Sequence, residues 1–119
     1  MDERTTIANL KEKVRKFCEE RDWDRYHGAK DLAIGIVTEA SELLDHFRFK
    51  SEEQIKEFFA SGKKKEISKE LADTFYFILR FAQMCDIDLS EALEHKMKEN
   101  AARYPVNKAK GSNKKYTEF

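Results

Sequence analysis

Five segments of this chain place apolar residues at helical spacing, and almost nothing between them could turn a strand. One Pro and four Gly in 119 residues leave too little turn chemistry for an all-β fold, and no alternating apolar–polar pattern competes. Residues 5–21 put Ile7, Leu10, Val14 and Phe17 on one face, with Thr5 or Thr6 available as N-cap. A break at residues 21–28 precedes a helix that Asp31 can cap and that runs to about Arg48. Its expected core stripe is Ala33, Ile36, Val37, Ala40, Leu43, Leu44 and Phe47. Ser51 and Gln54 form a capping box opening a short helix with Ile55, Phe58 and Phe59 inside, closed by Ser61 and Gly62. The next helix, roughly 64–85, is expected to bury Ile67, Leu71, Thr74, Phe75, Ile78, Leu79 and Ala82. A second capping box, Asp88 to Glu91, starts a helix carrying Leu89, Leu93, Lys96, Met97 and Asn100, which Tyr104-Pro105 ends. The reading is an all-α bundle of four to five helices forming one domain over residues 1–105. Residues 106–119 make a flexible basic tail, mobile unless a ligand or partner orders it.

Composition narrows the function classes. A net charge of zero gives no bulk attraction to nucleic acid or to a membrane surface, so neither is expected as a partner. The charge is uneven, however: Lys108, Lys110, Lys114 and Lys115 face only Glu118 in the tail. Cys18 and Cys85 have no metal-type spacing and read as buried apolar thiols in a reducing cytoplasm. The charged opening Met1-Asp2-Glu3-Arg4 is not a signal peptide, and no apolar run approaches a membrane span, which points to a soluble cytoplasmic protein. Seven phenylalanines, Phe47, Phe49, Phe58, Phe59, Phe75, Phe77 and Phe81, exceed what one small bundle covers, so a homo-oligomer is expected.

Chemistry concentrates on the two most hydrophobic helices. Glu39 and Glu42 lie a turn apart on the second, and Glu70 and Asp73 a turn apart on the fourth. The spacing alone proves little, because 23 acidic residues in 119 give roughly four such pairs by chance. Context separates these pairs from Glu19/Asp22 and Glu91/Glu94, since both border apolar stripes. The short helix between them leaves enough chain for antiparallel packing, which would bring the acidic edges together. Four carboxylates so crowded repel unless protonated or held by a cation, and an oxygen-only donor set suits Mg²⁺, with Mn²⁺ as a substitute. The alternative is a pair of solvated helix edges on a non-catalytic interaction module. The residues alone do not choose.

Other chemistries find little support. A bundle di-iron site wants Glu-x-x-His, and neither acidic pair supplies it. His46, one turn beyond Glu42, is either a partner to a carboxylate or an ordinary polar histidine. No Gly-rich phosphate loop is present, and no Cys or Ser has an activating neighbourhood. Trp23-Asp24-Arg25-Tyr26-His27 offers rings on which a base can stack, or a Trp that simply covers the core. Lys96 and Asn100, a turn apart, can donate to phosphate oxygens or merely edge their helix.

Taken together, Trp23-x-x-x-His27, Glu39-Ala-Ser-Glu42-Leu43, Glu70-Leu-Ala-Asp73, Lys96-x-x-x-Asn100, Arg103-Tyr104-Pro105 and the terminal Lys115-Tyr-Thr-Glu-Phe119 resemble a known pattern. The chain is similar to the all-α nucleoside triphosphate pyrophosphohydrolases of the MazG-like superfamily over about residues 20–119, most of all to their dCTP pyrophosphatase branch. The resemblance implies a MazG-like bundle assembling as a dimer or dimer of dimers. It also implies Mg²⁺-dependent cleavage of dCTP or modified dCTP analogues to monophosphate and pyrophosphate, a house-cleaning reaction on the nucleotide pool. By the same resemblance Glu39, Glu42, Glu70 and Asp73 hold the metal and carry catalysis. Trp23, His27 and Phe49 then line the base pocket, while Lys96, Asn100 and Tyr104 meet phosphates or sugar. Four positions depart from the branch. Phe49 stands where Trp is usual, and Phe77, a further substrate-binding position, where Tyr is frequent. Gly28-Ala29-Lys30-Asp31 replaces a Pro-Arg-Asn motif, and Ser41 a frequent Gly. These departures bear on the choice of base, which could differ from cytosine, and leave the acidic set intact.

Overall fold

The computed structural model describes residues 1–119 and contains six α-helices and no strand. They are α1 (Ile7–Glu20), α2 (Ala29–Asp45), α3 (Glu52–Ala60), α4 (Lys64–Met84), α5 (Leu89–Arg103) and the single-turn α6 (Val106–Ala109). Two 3₁₀ turns, Asp24–Tyr26 and Tyr116–Glu118, complete the chain. Contacts divide it into two compact units, Met1–Asp86 and Ile87–Phe119.

Local sequence chemistry sets the helix ends. Thr6 and Asn9 close a capping box at α1, and Ser51 and Gln54 close another at α3, so each box satisfies two of the donors a helix start leaves open. Asp88 accepts from the Glu91 amide at the start of α5. At α2 the cap is Gly28, and Asp31 lies inside the first turn, three residues later than a cap. Its negative charge there still favours the positive end of the helix dipole. Gly62, at φ 83°, turns the chain between α3 and α4 in the left-handed region that costs Gly nothing.

The first unit is organised around α4, against which α2 and α1 pack. Gly35 meets Phe77, Glu39 meets Asp73 and Glu70, and His46 meets Glu70, so α2 and α4 run antiparallel. Gly35 is required at its crossing. A Cβ there would stand 2.6 Å from two ring carbons of Phe77, so only Gly lets that ring lie on the α2 backbone. At the far end of α2, Phe47, Phe58 and Phe59 form an aromatic cluster with centroids 5.9–6.2 Å apart, and Phe58 also touches His46. The short α3 thereby holds His46 beside the start of α4.

The side of α2 that turns inward differs from the expectation. Of the expected stripe, Ile36, Leu43 and Phe47 are partly buried, whereas Ala33, Val37, Ala40 and Leu44 are exposed; Leu32 is fully buried and Glu39 and His46 are partly buried. On α4, Ile67, Leu79 and Ala82 are buried as expected, but Leu71 is 53% exposed. Glu39 and Glu70 thus turn toward the groove between the helices, and an apolar face of α2 looks outward. Cys18 is buried, with its thiol 3.1 Å from the Tyr76 hydroxyl. Cys85 is exposed, contrary to the buried thiol expected, because it falls just past the last turn of α4.

The second unit is α5 with the segment after it. Tyr104 packs edge-on against Tyr116 and Phe119, with ring centroids 5.9 and 5.8 Å away, and the Arg103 guanidinium stands over Tyr116. Aromatic and cation–π contacts therefore fold the C-terminal segment back onto the end of α5. No helix is long and apolar enough to cross a membrane.

Candidate metal centre and base pocket

Antiparallel packing of α2 on α4 brings carboxylate oxygens of Glu39, Glu70 and Asp73 within 4.8 Å of one another. Glu42, a turn further along α2, is exposed and close enough to Glu39 to share a proton with it. Three of the four acids therefore meet as a cluster, which Glu42 does not join. The Glu39 carboxyl is held above the usual carboxylate range. Partial burial is the first cause, the bond with Glu42 the second, and the charges of Glu42, Asp73 and Glu70 add to both.

One atom of this cluster is left without a partner. Glu70 Oε2 is buried and has no hydrogen-bond partner, while Oε1 stands 3.4 Å from His46 Nε2. A buried carboxylate oxygen without a donor is costly, and a divalent cation at the cluster would satisfy it. The donors are all oxygen, which suits a hard cation such as Mg²⁺ or Mn²⁺. Of the two readings of His46, its place against Glu70 favours the carboxylate partner, as ligating carboxylates are commonly held by such a group.

The expected base-binding rings occupy two places. Trp23 and His27 flank the 3₁₀ turn, with ring centroids 6.2 Å apart, and Trp23 also meets Phe17 edge-on at 5.7 Å. Edge contacts continue from Phe17 to Tyr76 and from Tyr76 to Phe77. A line of rings thus leads from His27 to Phe77, which lies one turn along α4 from Asp73. Trp23 remains 37% exposed and so keeps surface for a ligand. Phe49 is elsewhere, on the link after α2, 91% exposed, at φ 67° and covered only by the Arg48 guanidinium 4.5 Å away.

Lys96, Asn100 and Tyr104 belong to the second unit, Lys96 and Asn100 a turn apart on one side of α5 and Tyr104 just past its end. Lys96 pairs there with Glu99 at 3.0 Å.

Arg80 escaped the sequence reading. It is wholly buried, and its guanidinium donates to His27 Nδ1 at 2.9 Å, to Asp24 and to Gln83. The available signal was a charge inside the apolar run Ile78-Leu79-Arg80-Phe81-Ala82. Burial, and then the Arg80 charge, lowers the His27 pKa from its ordinary value, against the opposing pull of Asp24 and Asp31.

Comparison with known proteins places the chain in a family. The model of the MazG-like family matches residues 34–119. Mouse dCTP pyrophosphatase 1 is 32% identical over 115 residues, 96% of this chain and 68% of that protein. Human dCTP pyrophosphatase 1 is 31% identical over the same extent. Among solved structures, a pyrophosphatase from Archaeoglobus fulgidus superposes with a TM-score of 0.76 at 31% identity, covering 82% of this chain and 91% of the other.

Proposed function

The chain belongs to the MazG-like family, and we propose that it is a nucleoside triphosphate pyrophosphohydrolase acting on dCTP or a modified dCTP analogue, releasing monophosphate and pyrophosphate. The observation that carries this reading is the cluster of Glu39, Glu70 and Asp73 oxygens within 4.8 Å, containing the unpartnered Glu70 Oε2. Such a cluster is unfavourable alone and becomes favourable around a divalent ion.

Glu39, Glu70 and Asp73 would hold Mg²⁺, which supplies positive charge against the triphosphate and acidifies water. Glu42 stands beside the three-oxygen cluster and is exposed. In its unprotonated form it can complete the ligand set or accept the proton of the attacking water. Trp23 and His27 offer a ring face and a polar edge to the base. Phe49, fully presented in a backbone conformation that costs a non-Gly residue energy, offers a second face. Lys96 and Asn100 are the donors assigned to phosphate oxygens, with Tyr104 beside them.

The outward apolar face supports the homo-oligomer. Only Cys18, Leu32, Ile67, Leu79 and Ala82 form the fully buried apolar core, while Ile34, Val37, Leu44 and Leu71 stay more than half exposed. A second copy covering α2 would bury the first three. Replacement of Val37, 69% exposed, by Glu should therefore lower the mass measured by light scattering.

The test of the reaction is hydrolysis of a panel of canonical and 5-modified triphosphates with Mg²⁺, resolving monophosphate and pyrophosphate from diphosphate and phosphate. Cytosine substrates giving the first pair support the whole reading. The same products from another base keep the reaction and discard the base, an outcome to which Asp31 and Phe77 make the chain open. No turnover with Mg²⁺ or Mn²⁺ would overturn it.

A further inference from the structure

We propose that Arg80 is a positioning residue that locks the His27 ring with its proton on Nε2, so that the base pocket offers a hydrogen-bond donor at that atom. The inference deepens the reading of His27 as a base-pocket residue and rests on it.

The 3₁₀ turn Asp24–Tyr26 begins the argument. Its backbone closes with the His27 amide donating to the Asp24 carbonyl at 3.1 Å. Side chains three apart eclipse on a 3₁₀ turn, so Asp24 and His27 lie one above the other. One guanidinium arriving from α4 can then reach both. Arg80 does so, giving Nε to His27 Nδ1 at 2.9 Å and one terminal nitrogen to Asp24, while the other terminal nitrogen goes to Gln83.

The tautomer follows from donor counting. A guanidinium has N–H donors and no acceptor, so the His27 Nδ1 that receives it must carry a lone pair. A ring with its lone pair on Nδ1 has its proton on Nε2. Protonating Nδ1 would set two N–H groups against each other beside a buried positive charge. The groups that bear electrostatically on the ring are Arg80, Asp24 and Asp31, and the lowered His27 pKa agrees with a neutral ring. The partner at Nε2 must therefore be an acceptor, such as a carbonyl oxygen or unprotonated ring nitrogen on the edge of a base.

Stability alone accounts poorly for this arrangement. A wholly buried Arg is expensive to desolvate, and apolar residues of similar volume often replace such groups without loss. Asp24 already supplies the counter-charge. The Nε bond is spent on the ring nitrogen whose occupation decides the tautomer, which is what orienting a recognition group requires.

The full chain labelled with ¹⁵N-histidine gives the test, using two-bond ¹H–¹⁵N correlation at pH 7.5 with His27→Asn to assign the signal among three histidines. The expected pattern is a neutral His27 ring protonated at Nε2. A proton on Nδ1, or a charged ring, overturns the proposal and needs no Arg80 variant to be folded. In Arg80→Met with an unchanged helical spectrum, the proton should redistribute between the nitrogens. KM for dCTP should rise about tenfold, the scale of one lost hydrogen bond of about 1.4 kcal/mol, with kcat within about twofold. An unchanged tautomer and KM in that variant also overturn the proposal. Because the tautomer is read without substrate, its failure is distinguishable from absence of triphosphate hydrolysis.

Discussion

Glu39→Gln should stabilise the metal-free protein and remove most of its stabilisation by Mg²⁺. The Glu39 oxygen lies within 4.8 Å of those of Glu70 and Asp73. At that separation each repulsion is about 0.9 kcal/mol at the dielectric of water and about 3.5 kcal/mol at an effective value of about 20. Two pairs give about 2–7 kcal/mol, which screening at a Debye length of about 8 Å reduces to about 1–4 kcal/mol. Side-chain rotation at these partly exposed positions, and proton uptake by Glu39 itself, bring the expected gain to about 1–2 kcal/mol. For 119 residues the unfolding entropy makes 1 kcal/mol worth about 4 °C, so Tm should rise by about 4–8 °C. In the wild type, Mg²⁺ at about 100 times its Kd adds about 2.7 kcal/mol, or about 11 °C. If losing Glu39 weakens the site about 100-fold, the same Mg²⁺ concentration adds less than about 2 °C. The pH dependence has a definite sign. A folded pKa raised above 4.5 gives a contribution fully present below that value and lost as pH rises through the folded pKa. The gap between variant and wild type should thus be small near pH 4 and open towards neutrality. Scanning calorimetry with EDTA and with Mg²⁺, at one protein concentration, decides it. A variant less stable than wild type without metal, or one with an undiminished Mg²⁺ shift, refutes the reasoning.

Gly35→Ala gains about 1 kcal/mol of helix propensity but pushes a Cβ to 2.6 Å from the Phe77 ring, an overpacking cost of about 1–3 kcal/mol. Denaturant titration should show no net gain, with kcat/KM reduced as Phe77 is displaced; a variant more stable by a full propensity increment would mean the ring is free to move. Phe49→Gly relieves a left-handed backbone worth about 1–2 kcal/mol, so it should raise Tm while raising KM for the triphosphate. An unchanged KM removes Phe49 from the base pocket. Because the His27 pKa is lowered from 6.5, folding stability should fall as pH drops from that value through the depressed folded one. His27→Asn should flatten the pH 7 to 5 limb of a melting series, and an identical slope in both proteins would exclude His27 as its source.

The sequence was legible where the chemistry is local and ambiguous where it depends on what packs against what. The N-cap at Thr6 and the capping box Ser51/Gln54 were readable because each partner lies within three residues. The acids were legible as shared helix faces, since periodicity states which side chains point together. It does not state which face meets the neighbour. On α2 the apolar stripe through Val37 and Leu44 outranks the mixed stripe of Gly35, Glu39, Glu42 and His46 in hydrophobicity, and so was expected inside. The inward side instead combines Gly35, Glu39 and His46 with Ile36, Leu43 and Phe47, because Gly35 admits the Phe77 ring and brings the two backbones close. A helix that turns Glu39 and His46 toward its neighbour leaves Val37 and Leu44 outward, free for another surface. Arg80 marks the opposite limit. Its partners Asp24 and His27 are more than fifty residues away, and no local pattern signals that they need it. Helix periodicity could therefore give the carboxylates, while the residue that orients the base-pocket imidazole became visible only once α4 and the 3₁₀ turn were in contact.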